Sequence, residues 1–231
     1  MEIIAEIGQN HNGDMSLAKD LIFAAAEAGA DVAKFQLYDA KKLFPRDGNP
    51  WYEYNCKTEL SREQVENLWQ ICEQANIEFM ASVFDSGRIQ WLESLGVKRH
   101  KVASRSIKEN QMIDALVATN KQLLVSLGMW TEEGFPQISS DKVNFLYCIS
   151  KYPTPLEEIN LSQVNFDKYS GFSDHSIGIG ASVAALARGA KIIEKHFTLD
   201  KSMHGPDHEC SMMPKELEEL VYFKNQFLKC L

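Results

Sequence analysis

Apolar residues along this chain gather into eight short runs separated by longer stretches of mixed character. The runs cover Ile3 to Gly8, Val32 to Tyr38, Glu78 to Phe84, His100 to Ser104, Gln122 to Gly128, Val143 to Ser150, Tyr169 to His175 and Lys191 to Thr198. Each has the length of a strand, and most are apolar throughout, as strands covered on both faces should be. Ser16 to Ala28 carries apolar residues at helical spacing, with Gly29 placed to cap its end. Ser61-Arg62-Glu63-Gln64 has capping-box form ahead of the next helix. Further helices are predicted at Gly87 to Leu95, Asn110 to Thr119, Ile179 to Arg188 and Pro214 to Leu231, with weaker helical patterns around Trp130 to Asp141 and Pro153 to Phe166. Strands alternating with helices in this way, and no Gly-x-Gly-x-x-Gly after the first strand, predict an α/β fold. A single-domain (β/α)8 TIM barrel over residues 1–231 fits better than an open doubly wound sheet. The one long insertion, Lys41 to Glu59, is either a lid or a surface excursion.

Composition narrows the partners. With 231 residues, 45% of them hydrophobic, the chain can bury a sizeable core. A formal net charge of -8 argues against bulk attraction to nucleic acid or to an anionic membrane, so an anionic substrate needs a local basic pocket. The opening Met1-Glu2-Ile3-Ile4-Ala5-Glu6 lacks the basic and apolar segments of a signal peptide, and no apolar run has the length that spans a bilayer. Five cysteines without Cys-x-x-Cys spacing read as reduced thiols, and a cytoplasmic location is expected.

In a barrel of this kind chemistry sits at the C-terminal ends of the strands. His175 and His196 each stand where an apolar run stops; if the last two strands are neighbours, the pair can hold one metal ion and leave positions free, and otherwise they are unrelated strand-end residues. Alternation points Lys34 and Gln36 to one side of the second strand, and Lys101 lies on the fourth. A lysine in a barrel interior needs an anion. The two lysines with Ser82, Ser104 and Ser126 make a cradle for a small phosphate or carboxylate, or else each pairs with a carboxylate such as Glu6 or Glu194. Glu6 is a candidate base or a lysine partner. His11 is expected to hydrogen-bond to backbone in its turn, His204 and His208 to be exposed, and the loop bearing Asp207 to bring it close to His196.

These residues resemble the N-acetylneuraminate synthases, the sialic-acid-synthase-like family that condenses phosphoenolpyruvate with a sugar aldehyde. The likeness rests on Ala5-Glu6-Ile7-Gly8-Gln9-Asn10-His11-Asn12-Gly13, on Gly29-Ala30-Asp31-Val32-Ala33-Lys34-Phe35-Gln36, on Tyr152-Pro153-Thr154-Pro155, on Phe172-Ser173-Asp174-His175, on Glu194-Lys195-His196-Phe197-Thr198, and on Gly205-Pro206-Asp207 followed by Ser211. The resemblance implies a divalent metal, manganese or magnesium, on His175 and His196, polarising the aldehyde for attack by C3 of phosphoenolpyruvate. It implies that Glu6 orients or activates the water that attacks C2, and that Asp207 assists proton transfer or binds the sugar. Lys34, Ser82, Lys101, Ser104, Ser126, Ser150 and Ser173 would hold phosphoenolpyruvate, with Gln36 and Tyr152 nearer the sugar.

Three departures stand out. Where the family usually reads Lys-Ile-Gly-Ser-Gly-Glu, this chain has Lys101-Val102-Ala103-Ser104-Arg105-Ser106, so a carboxylate is missing and Arg105, where glycine is usual, either binds a further anionic group or points outward. Ser82 and Ser150 stand in place of threonine and asparagine. The chain also stops after the eighth helix, without the small antifreeze-like domain whose arginine reaches a partner's sugar site. Arg105 or a separate protein would then have to compensate, and a barrel homodimer is the expected assembly. Against the synthase stand two alternatives: a Schiff-base keto-acid aldolase using Lys34 or Lys101, and a non-catalytic barrel that binds a sugar acid or phosphoenolpyruvate.

Overall fold

In β1 (Glu2–Gly8) the side chains alternate, and the two faces meet different surroundings. Ile3, Ala5 and Ile7 join the large apolar core shared with the helices, whereas Ile4 belongs to a separate buried cluster with Val32, Met80, Leu124, Leu146 and Ile192. That second cluster is the inside of a closed barrel. The computed structural model, which describes residues 1–230, places β1, β2 (Val32–Leu37), β3 (Glu78–Val83), β4 (Arg99–Val102), β5 (Gln122–Ser126), β6 (Val143–Cys148), β7 (Gly171–Asp174) and β8 (Ile192–His196) side by side in chain order. All neighbours run parallel, and β8 closes on β1 with Glu6 opposite His196. The expected fold is therefore the observed one.

Counting along each strand from the inner apolar cluster gives the layering. Two residues beyond Ile4, Val32, Met80, Leu124, Leu146 and Ile192 stand Glu6, Lys34, Ser82, Ser126, Cys148 and Glu194, which share their inward parity. Two further on come Gly8, Gln36, Phe84, Gly128, Ser150 and His196. The interior thus changes from an apolar plug at the N-terminal end, through a charged layer, to a mixed mouth at the C-terminal end. The plug keeps water from entering behind the charges, and this forces the charged layer to pair internally. On the opposite, N-terminal face Arg99 ties three strands together, its Nε donating to Glu78 at 2.8 Å and its two terminal nitrogens to the Glu2 carboxylate.

Helices α1 (Met15–Glu27), α2 (Ala40–Leu43), α3 (Tyr52–Lys57), α4 (Arg62–Gln74), α5 (Ser86–Ser94), α6 (Asn110–Ala118), α7 (Gly180–Ala187) and α8 (Pro214–Cys230) fill the crossovers. The predicted end of the last helix at Leu231 lies outside the described residues. Asp14 caps α1 through the amides of Ser16 and Leu17, and the Ser61/Gln64 capping box of α4 forms in both directions. The weak patterns after β5 and β6 do not become helices: 130–141 is irregular, and the β6–β7 crossover contains two 3-10 turns, Leu156–Glu158 and Leu161–Gln163. Both segments are short of the regularly spaced apolar residues that a packed helix needs. The insertion 41–59 holds α3 and the end of α2, and it folds onto the C-terminal rim: the Tyr54 hydroxyl donates to Gln9 O at 2.9 Å and Asn12 Oδ1 at 2.7 Å. All five cysteines are free thiols, and among the described residues no helix is long and apolar enough to cross a membrane.

Candidate active site

The charged layer opens into a cavity of about 480 Å³ at the C-terminal end of the barrel. Glu6, Lys34, Gln36, Ser82, Lys101, Ser104, Arg105, Ser126, Ser150, Tyr152, Ser173, His175, His196 and Asp207 all line it, whereas His11, His204 and His208 do not.

The floor is a buried network of two cations and two carboxylates. Lys34 Nζ lies 2.7 Å from Glu6 Oε2, 3.4 Å from Glu194 Oε2 and 3.0 Å from Ser82 Oγ. Lys101 Nζ donates to Ser126 Oγ at 2.7 Å and to Val102 O at 3.1 Å, and stands 3.6 Å from Glu194 Oε1, which also accepts from Ser173 Oγ at 2.7 Å. Both lysines therefore have the carboxylate partners that the sequence left as an alternative to an anion cradle, and the same groups still face the cavity. The two glutamates differ in character. Burial would raise Glu194, but Lys101, Lys34 and the Ser173 hydroxyl outweigh it and hold the carboxyl down at about 2. Burial raises Glu6, the charge on Glu194 adds to this, and Lys34 offsets it only in part. Glu194 is thus the fixed anion of the floor and Glu6 the group readier to take a proton. Lys101 is lowered by burial, against the pull of Glu194; Lys34 stays charged because Glu194 and Glu6 more than offset its burial.

Gln36 Nε2 donates to Glu6 Oε1 at 2.9 Å, fixing the carboxylate plane. Gly8, with φ +54°, leaves room for this pair, since a Cβ there would lie 3.2 Å from Gln36 Nε2 and 3.3 Å from Glu6 Oε1. Gly128 does the same across the cavity: a Cβ would stand 2.5 Å from Ser150 Oγ, and its amide donates to Ser104 Oγ at 3.0 Å.

The histidines stand on adjacent strand ends, ring centroids 5.6 Å apart. His175 Nδ1 contacts Ile149 O at 2.7 Å, which fixes the tautomer with the proton on Nδ1 and frees Nε2 as a donor atom. Burial pulls His175 down, but the Cys148 thiol and the Ile149 carbonyl more than offset it, making the ring a more basic ligand. Burial lowers His196 to about 4, so it is a neutral imidazole, and its buried Nδ1 has no hydrogen-bond partner. Asp207 Oδ2 lies 3.8 Å from that nitrogen. Two oriented imidazoles, that of His196 neutral and with an orphaned buried nitrogen, fit a borderline divalent cation. Among the described residues no cluster of three or more ligating side chains joins them, so remaining positions would go to water or substrate. Tyr152, half exposed, packs against His175 with ring centroids 4.0 Å apart and planes tilted by 35°.

Sequence reasoning fell short at several positions. His208 is buried, not exposed: its Nδ1 sits 2.8 Å from Thr198 Oγ1 and its Nε2 3.2 Å from Asn12 Oδ1, a tie between two loops distant in sequence, while His204 is exposed against Trp51. His11 accepts from the Gly13 amide at 3.1 Å, the backbone role expected for it. From the sequence Glu194 reads only as a lysine partner, and Cys148, which lies 3.4 Å from Ser104 Oγ, only as a reduced thiol. The signal for both was parity, since each stands two residues past an inner apolar residue of its strand.

Residues 21–230 match a family model described as NeuB family. The chain is 37% identical to the N,N'-diacetyllegionaminic acid synthase of Legionella pneumophila, over 95% of this chain and 70% of that protein. It is 35% identical to the N-acetylneuraminate-9-phosphate synthase of Homo sapiens, over 95% of this chain and 68% of that one. The crystal structure of an N-acetylneuraminic acid synthetase from Leptospira borgpetersenii superposes with a TM-score of 0.88 at 32% identity, covering 99% of this chain and 84% of that one.

Proposed function

This chain belongs to the NeuB family, and on that premise we propose that it joins C3 of phosphoenolpyruvate to the aldehyde carbon of an amino sugar, forming a nonulosonic or similar 2-keto-3-deoxy sugar acid and releasing phosphate. The observation that carries this reading is the juxtaposition, in one cavity, of a lysine–glutamate floor with two imidazoles suited to a metal.

On this reading Lys34 and Lys101, with the hydroxyls of Ser82, Ser104, Ser126, Ser150 and Ser173, hold the phosphate and carboxylate of phosphoenolpyruvate. The incoming anion competes with Glu6 and Glu194 for the two ammonium groups, and the floor relaxes from internal pairs to ligand pairs. His175 and His196 would hold a divalent manganese or magnesium ion, which when bound supplies Lewis-acid polarisation of the aldehyde carbonyl. As the C3–C1 bond forms, positive charge develops at C2, and Glu194 is the nearby fixed anion able to stabilise it. Glu6 orients the water that adds to C2 and takes its proton, a role suited to a carboxyl whose pKa burial has raised. Asp207, beside His196, serves the proton needs of the former aldehyde oxygen, which ends as a hydroxyl. The tetrahedral adduct at C2 then breaks its C–O bond to phosphate and becomes the ketone. Gln36, Tyr152 and Arg105 lie toward the mouth, on the sugar side.

A phosphate-release assay with phosphoenolpyruvate, manganese and a panel of 2-acetamido-2-deoxy sugar aldehydes tests this. Release that needs both the acceptor and the metal is expected, and Glu6→Gln should lower the rate by about 100-fold or more. No release with any acceptor would reject the synthase. Borohydride trapping with pyruvate covers the aldolase alternative, since covalent labelling of Lys34 or Lys101 would be its signature.

A further inference from the structure

Three lysines and one arginine line the cavity, and they are not equivalent. Lys34 is paired with Glu6 and Glu194, Lys101 with Glu194, and Lys195 with Asp174 at 3.3 Å. Arg105 has no carboxylate within ion-pair distance among the described residues. Its guanidinium is held instead by the Leu43 carbonyl at 3.3 Å and by the face of Phe44, 5.0 Å from the ring centroid. Those contacts come from the end of α2 and the residue after it, so the insertion orients the arginine. One N–H to a carbonyl and a cation–π contact leave most of its five donors unused. The group is also placed apart from the floor. Arg105 is exposed, and it shares the rim with Phe44 and the half-exposed Met129, whereas Lys34 and Lys101 are each 2% exposed.

We propose that Arg105 is the subsite for an oxyanion carried by the acceptor at the end remote from its aldehyde, so that the preferred acceptors are phosphorylated or carboxylate-bearing sugar aldehydes. This rests on the synthase reading, which puts the aldehyde carbon beside the imidazoles and the rest of the chain toward the mouth. A guanidinium lying over an aromatic ring with most of its N–H donors free can make bidentate contact with phosphate or carboxylate. Its charge is not cancelled by the protein, so the ligand has to supply the anion. Phosphoenolpyruvate is the other source of oxyanions, and its charges are served by the two floor lysines.

The test is an equilibrium titration of manganese-loaded protein, without phosphoenolpyruvate and hence without turnover. The probes are a 2-acetamido-2-deoxyhexose, its 6-phosphate and the corresponding uronate. The wild type should bind the 6-phosphate, the uronate or both about tenfold or more tighter than the neutral sugar, and which of the two gains identifies the oxyanion. Arg105→Met should bring that ratio close to one, Arg105→Lys should keep part of it, and rising salt should erode it because the rim is solvent-exposed. Arg46→Met, which removes an exposed cation already paired with Glu53 at 3.6 Å, should leave the ratio in place. A wild-type ratio near one, or a ratio that survives Arg105→Met, overturns the proposal. So does weakened phosphoenolpyruvate binding in Arg105→Met with the acceptor ratio intact, which would assign the guanidinium to that substrate. Failure of phosphate release with every acceptor would reject the synthase reading separately, while the titration still decides the role of Arg105.

Discussion

At the scale of single residues, burial decides how the ionisable groups behave. His11 is fully buried, its Nδ1 accepting from Gly13 and its Nε2 without a partner, and burial lowers its pKa to about 4 from an ordinary 6.5. Between those values the unfolded chain takes up the proton and the folded one does not. The contribution of His11 to stability is therefore fully present above pH 6.5 and is lost as the pH falls toward 4, by at most about 3 kcal/mol. His11→Asn keeps a short acceptor for the Gly13 amide without the titration. Its denaturation midpoint should fall less steeply than that of the wild type between pH 6.5 and 4; an unchanged slope would assign the pH dependence to other groups. That Lys34, Glu6 and the histidine pair gather at one cavity was readable from residue type and position on or at the end of a strand. The burial of His208 was not, because it depends on Thr198 and Asn12 meeting across two loops.

At the scale of elements, β7, β8 and α7 are joined by a buried polar truss flanking the two histidines. Lys195 Nζ donates to Ser176 O at 2.5 Å and stands 3.3 Å from Asp174, whose other contacts are the Ser176 amide and hydroxyl and, at 2.6 Å, the Ser182 hydroxyl from α7. Asp174 and Lys195 are the sequence neighbours of His175 and His196, so this ion pair helps to fix the separation of the two rings. Lys195→Met leaves Asp174 buried and unpaired and should cost about 3–5 kcal/mol, whereas Asp174→Leu with Lys195→Met should cost markedly less. A double-mutant cycle in denaturant measures the difference, and near-additive losses would show that the pair is not coupled. Manganese affinity should fall in both variants. The eight strands were legible because each carries its own short apolar run, and α4 because its capping box is local. The segments after β5 and β6 carried mixed signals because they pack as irregular chain, whose course is set by the neighbouring elements.

At the scale of the whole molecule, the barrel closes through β1–β8 pairing and an apolar plug in which neither His175 nor His196 takes part. Stripping divalent metal with a chelator should therefore abolish phosphate release while the far-ultraviolet circular dichroism and a cooperative unfolding transition persist, and added Mn2+ or Mg2+ should restore the rate. A full rate in chelator would show that the imidazoles act without metal. Taken alone, the sequence determined the strands, the alternation with helices and the inward parity of Glu6, Lys34, Ser82, Ser126 and Glu194, because these follow from periods of two and 3.6 residues that are written locally. Tertiary structure decided the pairings: that Lys34 and Lys101 share Glu194, that Arg105 is left without a carboxylate, and that Cys148 and His208 are enclosed. Barrel closure brings together strand ends far apart in the chain, and burial then sets which charges must be matched, a long-range electrostatic outcome that no local period encodes.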